Sequence, residues 1–144
     1  MSTPPIIQAH ISYELLDQRQ ANVVVIDFES RSISDPVHAH ELGEQLDWLI
    51  RPELPLNYVI DMKGVRALGS TAFGELCAFA RRVRWWGGKV RVCNMHDTLQ
   101  FGAALIGLEQ YADFSPNRQA AIQEARHAAM RGETEITDLP IFWS

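Results

Sequence analysis

Between the apolar run Tyr58-Val59-Ile60-Asp61-Met62 and a helical pattern that opens at Phe73 stand two adjacent hydroxyl residues, Ser70 and Thr71, directly behind Gly69. A helix start presents unpaired backbone N–H groups and partial positive charge to whatever lies in front of it. Ser70 falls at that point, and two roles are open to it. Its oxygen can accept a bond from the first turn as an N-cap. It can also accept a phosphate, adding about −1.5 to −2 charge near neutral pH where a helix best tolerates it. The two roles are compatible.

Other chemistry finds little support in residue type and spacing. No Gly-x-Ser-x-Gly elbow surrounds Ser70, and the adjacent His96 and Asp97 carry no sign of addressing it, so no catalytic residue is assigned and the chain is not expected to be an enzyme. His38 and His40 stand two apart in an expected helix and point to different faces, while His10, His96 and His127 are scattered without a gathering motif. The expectation is therefore no metal and no cofactor. A phosphate loop of the GxxxxGK[ST] type is absent. Cys77 and Cys93 form no CxxC pair and read as buried free thiols. Trp85 and Trp86 lack a basic groove and suit a core or a partner surface better than base stacking.

The elements that must position the hydroxyls are legible in the hydrophobic pattern. The run at 58–62 reads as a buried strand closed by Lys63-Gly64. Phe73, Leu76, Cys77, Ala80 and Val83 share one helical face, arginines crowd the far end, and Gly87-Gly88 stop the helix. Upstream, Ala9 to Leu16 and Val23 to Phe28 form two strands joined by a short polar connection, which suggests an antiparallel hairpin. Ser32 to Pro36 is turn chemistry, with Ser34 or Asp35 placed to cap a helix that Pro36 opens. That helix carries Leu42, Leu46, Leu49 and Ile50 and ends at Pro52 and Pro55. Downstream, Lys89 to Met95 is a strand, and Asp97 or Thr98 starts a helix bearing Leu99, Ala103 and Ile106 that ends near Gly107. A last helix from about Asn117 to Met130 presents Ile122, Ala125 and Ala129 on one face.

Alternating strands and helices imply parallel neighbours joined by crossovers. The fold class is α/β: a mixed sheet of four or five strands covered by amphipathic helices, one domain over 6–130 followed by an apolar tail over 131–144. The 144 residues suit one core, and 47% hydrophobic with 22% charged content is globular. A net charge of −5 without a basic block argues against nucleic acid, and no apolar run approaches a membrane span. A cytoplasmic location is expected. Tail residues Leu139 to Trp143 are apolar enough to dock, on their own domain or on a second subunit in a homo-oligomer.

The stretch from Val59 to Gly74 resembles the signature of STAS domains, the family of anti-sigma factor antagonists. That signature has a strand ending in aspartate, a short loop with a valine, then Asp-Ser-Ser-Gly-Leu-Gly entering a helix. Asp61 matches the strand aspartate and Val65 the loop valine, while Leu68-Gly69-Ser70-Thr71-Ala72-Phe73-Gly74 takes the place of the motif. Ser70 falls on the serine that the family phosphorylates; Gly69 stands for the acidic residue before it and Ala72 for the first glycine. The looser likeness extends over most of Ile11 to Phe114. It implies a regulator that binds an anti-sigma factor or related serine kinase through Gly69, Ser70, Thr71, Phe73 and Gly74. The partner holds the ATP, and phosphorylation of Ser70 ends binding. A STAS module that binds a small anion or nucleotide at the helix start, or one serving as a structural subunit of a regulatory assembly, is the alternative.

Overall fold

A computed structural model describes residues 8–16, 22–51 and 54–130 of the chain. The tail and its docking lie outside the described residues, as do the first residues and Pro52. In order, the elements are β1 (Ile11–Leu16), β2 (Val23–Phe28), β3 (Ser32–Ile33), α1 (Pro36–Trp48), β4 (Asn57–Asp61), β5 (Ala67–Leu68), α2 (Ser70–Trp85), β6 (Lys89–Cys93), α3 (Asp97–Ile106), β7 (Asp113–Ser115) and α4 (Arg118–Met130).

The main sheet has five strands in the order β1-β2-β4-β6-β7. β1 pairs antiparallel with β2, as the hairpin expectation requires, and the remaining neighbours are parallel. Alternation along the strands divides their side chains between two cores. Val24, Ile26, Tyr58, Ile60, Val90 and Val92 face α1, α2 and α3 in the larger one. Val23, Val25, Val59 and Cys93 face α4 in the smaller. β4, buried at all five positions, is the central strand that both cores share.

Helix ends follow the local chemistry of the chain. Asp35 caps α1 by accepting the His38 N–H at 2.9 Å, with Pro36 in the first turn. Gly107, at φ 76°, ends α3 in the left-handed conformation that suits glycine. On α4 the buried stripe comprises Ala121, Ala125 and Ala128, with Ile122 packed at its margin. Ile106 is 40% exposed, so α3 buries Leu99 and Ala103 without it. Trp85 is 62% exposed and lies outside the core.

Three short strands escape the periodic pattern. Part of the expected turn at Ser32 to Pro36 is β3, which pairs in parallel with β5 to form a separate two-stranded sheet. β7 adds the fifth strand to the main sheet beside β6. Among the described residues no helix is long and apolar enough to cross a membrane.

Candidate functional site

The approach to α2 is pinned at every step. Beyond Asp61, the Met62 N–H bonds the Cys93 carbonyl at 2.9 Å and the Val65 N–H closes a turn onto the Met62 carbonyl at 3.0 Å. Val65 itself is fully buried, so the loop valine is an anchor in the larger core. The Arg66 N–H then reaches the Arg31 carbonyl at 2.7 Å, and the Gly69 N–H reaches that of Ile33 at 2.9 Å. The start of α2 is thereby held against the β2–α1 connection.

The cap of α2 differs from the expectation. Gly69 is the N-cap, extended at φ −74° and ψ 169°, and its carbonyl accepts the Phe73 N–H at 3.1 Å. Ser70 is the first helical residue. Its side chain makes no capping bond, and the first turn contains no acidic residue. The turn's N–H groups therefore keep their partial positive charge facing outward. A glycine suits the cap for a steric reason, because a Cβ on Gly69 would lie 3.1 Å from the Ser34 carbonyl oxygen.

Exposure sorts the expected contact residues. Ser70 and Thr71 are exposed, Gly69 and Gly74 are half-buried, and a Cβ on Gly74 would meet nothing within 4 Å. Phe73 belongs elsewhere. It is only 5% exposed, and its ring packs so closely on α3 that a Cβ on Gly102 would come within 2.6 Å of it. Phe73 is thus a prop beneath the start of α2 and contributes little to its exposed surface.

The strand aspartate serves an ionic clamp behind this surface. Asp61 stands in register with Asp27 at the ends of the parallel strands β4 and β2, and Arg118 of α4 reconciles the two carboxylates. Arg118 Nη1 lies 2.6 Å from Asp27 Oδ1 and 3.2 Å from Asp61 Oδ2. Its bond to Asp27 holds the guanidinium pKa above its ordinary value. Asp61 Oδ1 also accepts from Asn94 Nδ2 and the Lys63 N–H, each at 3.0 Å. Beside it, burial and then the Asp61 charge push the Cys93 thiol up to about 12, which makes it inert near neutral pH. Both cysteines are buried and free. Sequence reasoning missed Arg118; the available signal was the repeated ending Val-Ile-Asp of 25–27 and 59–61, which promises adjacent carboxylates in a parallel pair.

The histidines also depart from expectation. His10 is not scattered: with His38 and Glu41 of α1 it forms one cluster whose ligand-capable atoms lie within 4.8 Å of one another. Neither His40 nor His96 joins it, and His40 pairs with Glu44 at 3.0 Å on the exposed side of α1.

A mixed sheet with three helices on one face and a fourth on the other defines an α/β domain, with an exposed hydroxyl at the start of its central helix. Residues 13–121 match the STAS domain family. The chain belongs to that family. Among solved structures, it resembles an anti-sigma-factor antagonist (STAS) domain protein from Planctomyces limnophilus at 16% identity and TM-score 0.65, covering 78% of this chain and 96% of that one. An anti-sigma factor antagonist from Mycobacterium paratuberculosis is similar at 23% identity and TM-score 0.61, with 88% and 99% covered. The anti-sigma factor antagonist SpoIIAA in its unphosphorylated form is similar at 13% identity and TM-score 0.58, with 80% and 98% covered. No curated protein matches the sequence significantly.

Proposed function

We propose that the chain is a non-enzymatic regulator of the anti-sigma factor antagonist type, which binds an anti-sigma factor or related serine kinase at the N-terminus of α2 and is released when Ser70 is phosphorylated. The observation that carries this reading is the state of Ser70. Its hydroxyl is exposed, has no hydrogen-bond partner among the described residues, and sits at the first position of a helix whose cap is already supplied by Gly69. Nothing structural is lost when that oxygen is modified. Solved relatives that are antagonists, one of them in a form distinguished as unphosphorylated, support the same assignment.

The mechanism follows from charge and space. Unmodified, Gly69, Ser70 and Thr71 offer a small, weakly positive surface that lies flat against a partner's nucleotide edge. The partner supplies ATP, and Ser70 Oγ accepts the phosphoryl group. The added charge is tolerated within this chain by the first-turn N–H groups, whereas across the interface it meets desolvation and repulsion. Each ~1.4 kcal/mol of that penalty is tenfold in affinity. The protein acts in the cytoplasm on this reading.

Ser70→Asp tests the reading against a candidate anti-sigma factor from the same cell. Binding by the unmodified chain and by Ser70→Ala, with at least a tenfold loss in Ser70→Asp, is the expected pattern. Equal affinities for all three would overturn it.

A further inference from the structure

Three side chains, His10 just ahead of β1 and His38 and Glu41 one turn apart on α1, converge where the two meet. His10 Nε2 lies 3.0 Å from Glu41 Oε1, and His38 Nε2 lies 4.0 Å from the same oxygen. The two imidazoles meet edge to face, their centroids 5.2 Å apart. A tetrahedral ion with bonds of about 2.0–2.1 Å sets its ligand atoms roughly 3.3 Å apart. The observed separations bracket that span.

The outer ring nitrogens decide what the inner ones can do. A carboxylate only accepts, so His38 Nδ1, 2.5 Å from Asp35 Oδ2, carries a proton. With the Nδ1 proton engaged by Asp35, the ring atom that His38 turns toward the Glu41 carboxylate is Nε2, at 4.0 Å and beyond hydrogen-bond distance. His10 Nδ1 has a partner of its own, Ser30 Oγ at 2.6 Å, in a buried setting. Each imidazole thus has an oxygen on its outer nitrogen that orients the ring; the Asp35 carboxylate also fixes the His38 tautomer, whereas the Ser30 hydroxyl, which accepts from Gln8 Nε2 at 3.2 Å, serves either tautomer of His10.

The frame around the three residues is stiff and half open. The His10 N–H donates to Gln45 Oε1 at 2.8 Å, and Gln45 Nε2 donates back to the Gln8 carbonyl at 2.8 Å. His10 is 1% exposed, Glu41 20% and His38 43%, so protein closes one side of the cluster and solvent reaches the other. We propose that His10, His38 and Glu41 bind a divalent transition metal ion, Zn²⁺ in the first place, through the two Nε2 atoms and a Glu41 carboxylate oxygen, with a fourth position open to water. The ion would fasten the chain ahead of β1 to α1. This site is independent of the reading given to Ser70.

Calorimetric titration of ZnCl₂ into the full chain, stripped with chelator and free of any affinity tag, tests the proposal. One Zn²⁺ per chain is expected, with affinity falling roughly tenfold or more in His38→Gln and in Glu41→Gln, and about tenfold in Asp35→Asn, where a neutral amide oxygen replaces the charged outer acceptor. These side chains lie at the surface, and circular dichroism establishes that each variant keeps its fold. His40→Gln, whose side chain is 73% exposed and faces Glu44, should bind as the parent does. Absence of a stoichiometric site, or binding unchanged in both His38→Gln and Glu41→Gln, would overturn the proposal.

Discussion

Gly69 and Ser70 divide two tasks that a single serine could have performed together. Serine outranks glycine as a cap, so residue type assigns the cap to Ser70. Backbone geometry decides otherwise, because the chain stays extended through Gly69 beside the β3–β5 pairing and the Ser34 carbonyl leaves little room for a side chain there. The consequence is a hydroxyl without a structural duty. Ser70→Ala should therefore change stability by less than ~0.5 kcal/mol in urea melts. A loss near 1 kcal/mol, the usual worth of a serine cap, would mean that the hydroxyl does cap α2. At the same scale, the apolar periodicity of α2 already put Phe73 on the buried face, and its contact with Gly102 on another helix takes it out of the surface that the family motif suggested.

Elements with a full period were legible, and those without one were not. The central strand, α1, α2 and β6 follow from apolar spacing, and the β1–β2 hairpin follows from a short connection between strong strands. β3, β5 and β7 hold only two or three residues each, too few to display alternation. Their partners alone create them. The histidine cluster was hidden for a related reason: His10 precedes β1 and His38 lies in α1, and only the hairpin's return brings them together. The α2–β6 connection gives a prediction at this scale. Gly88 packs so tightly that a Cβ would come 2.2 Å from the Leu56 carbonyl oxygen, although Gly87, at φ 88°, is the residue with the unusual backbone. Gly88→Ala should cost about 3 kcal/mol or more by chemical denaturation, the scale of severe overpacking. Gly87→Ala should cost about 1 kcal/mol, for left-handed backbone alone. The reverse order would contradict the packing described.

Seen whole, the described residues form two unequal cores separated by one sheet, with α1, α2 and α3 over the larger and α4 sealing the smaller. Arg118 joins α4 to both strand-end aspartates, so it links the cover to the strand from which the loop to Ser70 departs. Arg118→Met should lower stability by about 2 kcal/mol in thermal or urea unfolding, since Asp61 is nearly buried and would lose a charged partner. An unchanged midpoint would show the clamp to be idle. The family motif made the candidate site legible from Asp61 to Gly74, whereas of the clamp only the paired Val-Ile-Asp endings were legible, its arginine lying 91 positions from Asp27. On the proposed function, what the whole arrangement serves is the exposed hydroxyl at the head of α2. The most direct test is peptide mapping of the native protein, isolated from growing and stressed cells with phosphatases blocked. The account predicts phosphate on Ser70 in a fraction of molecules that changes with condition; Ser70 unmodified under every condition would contradict it.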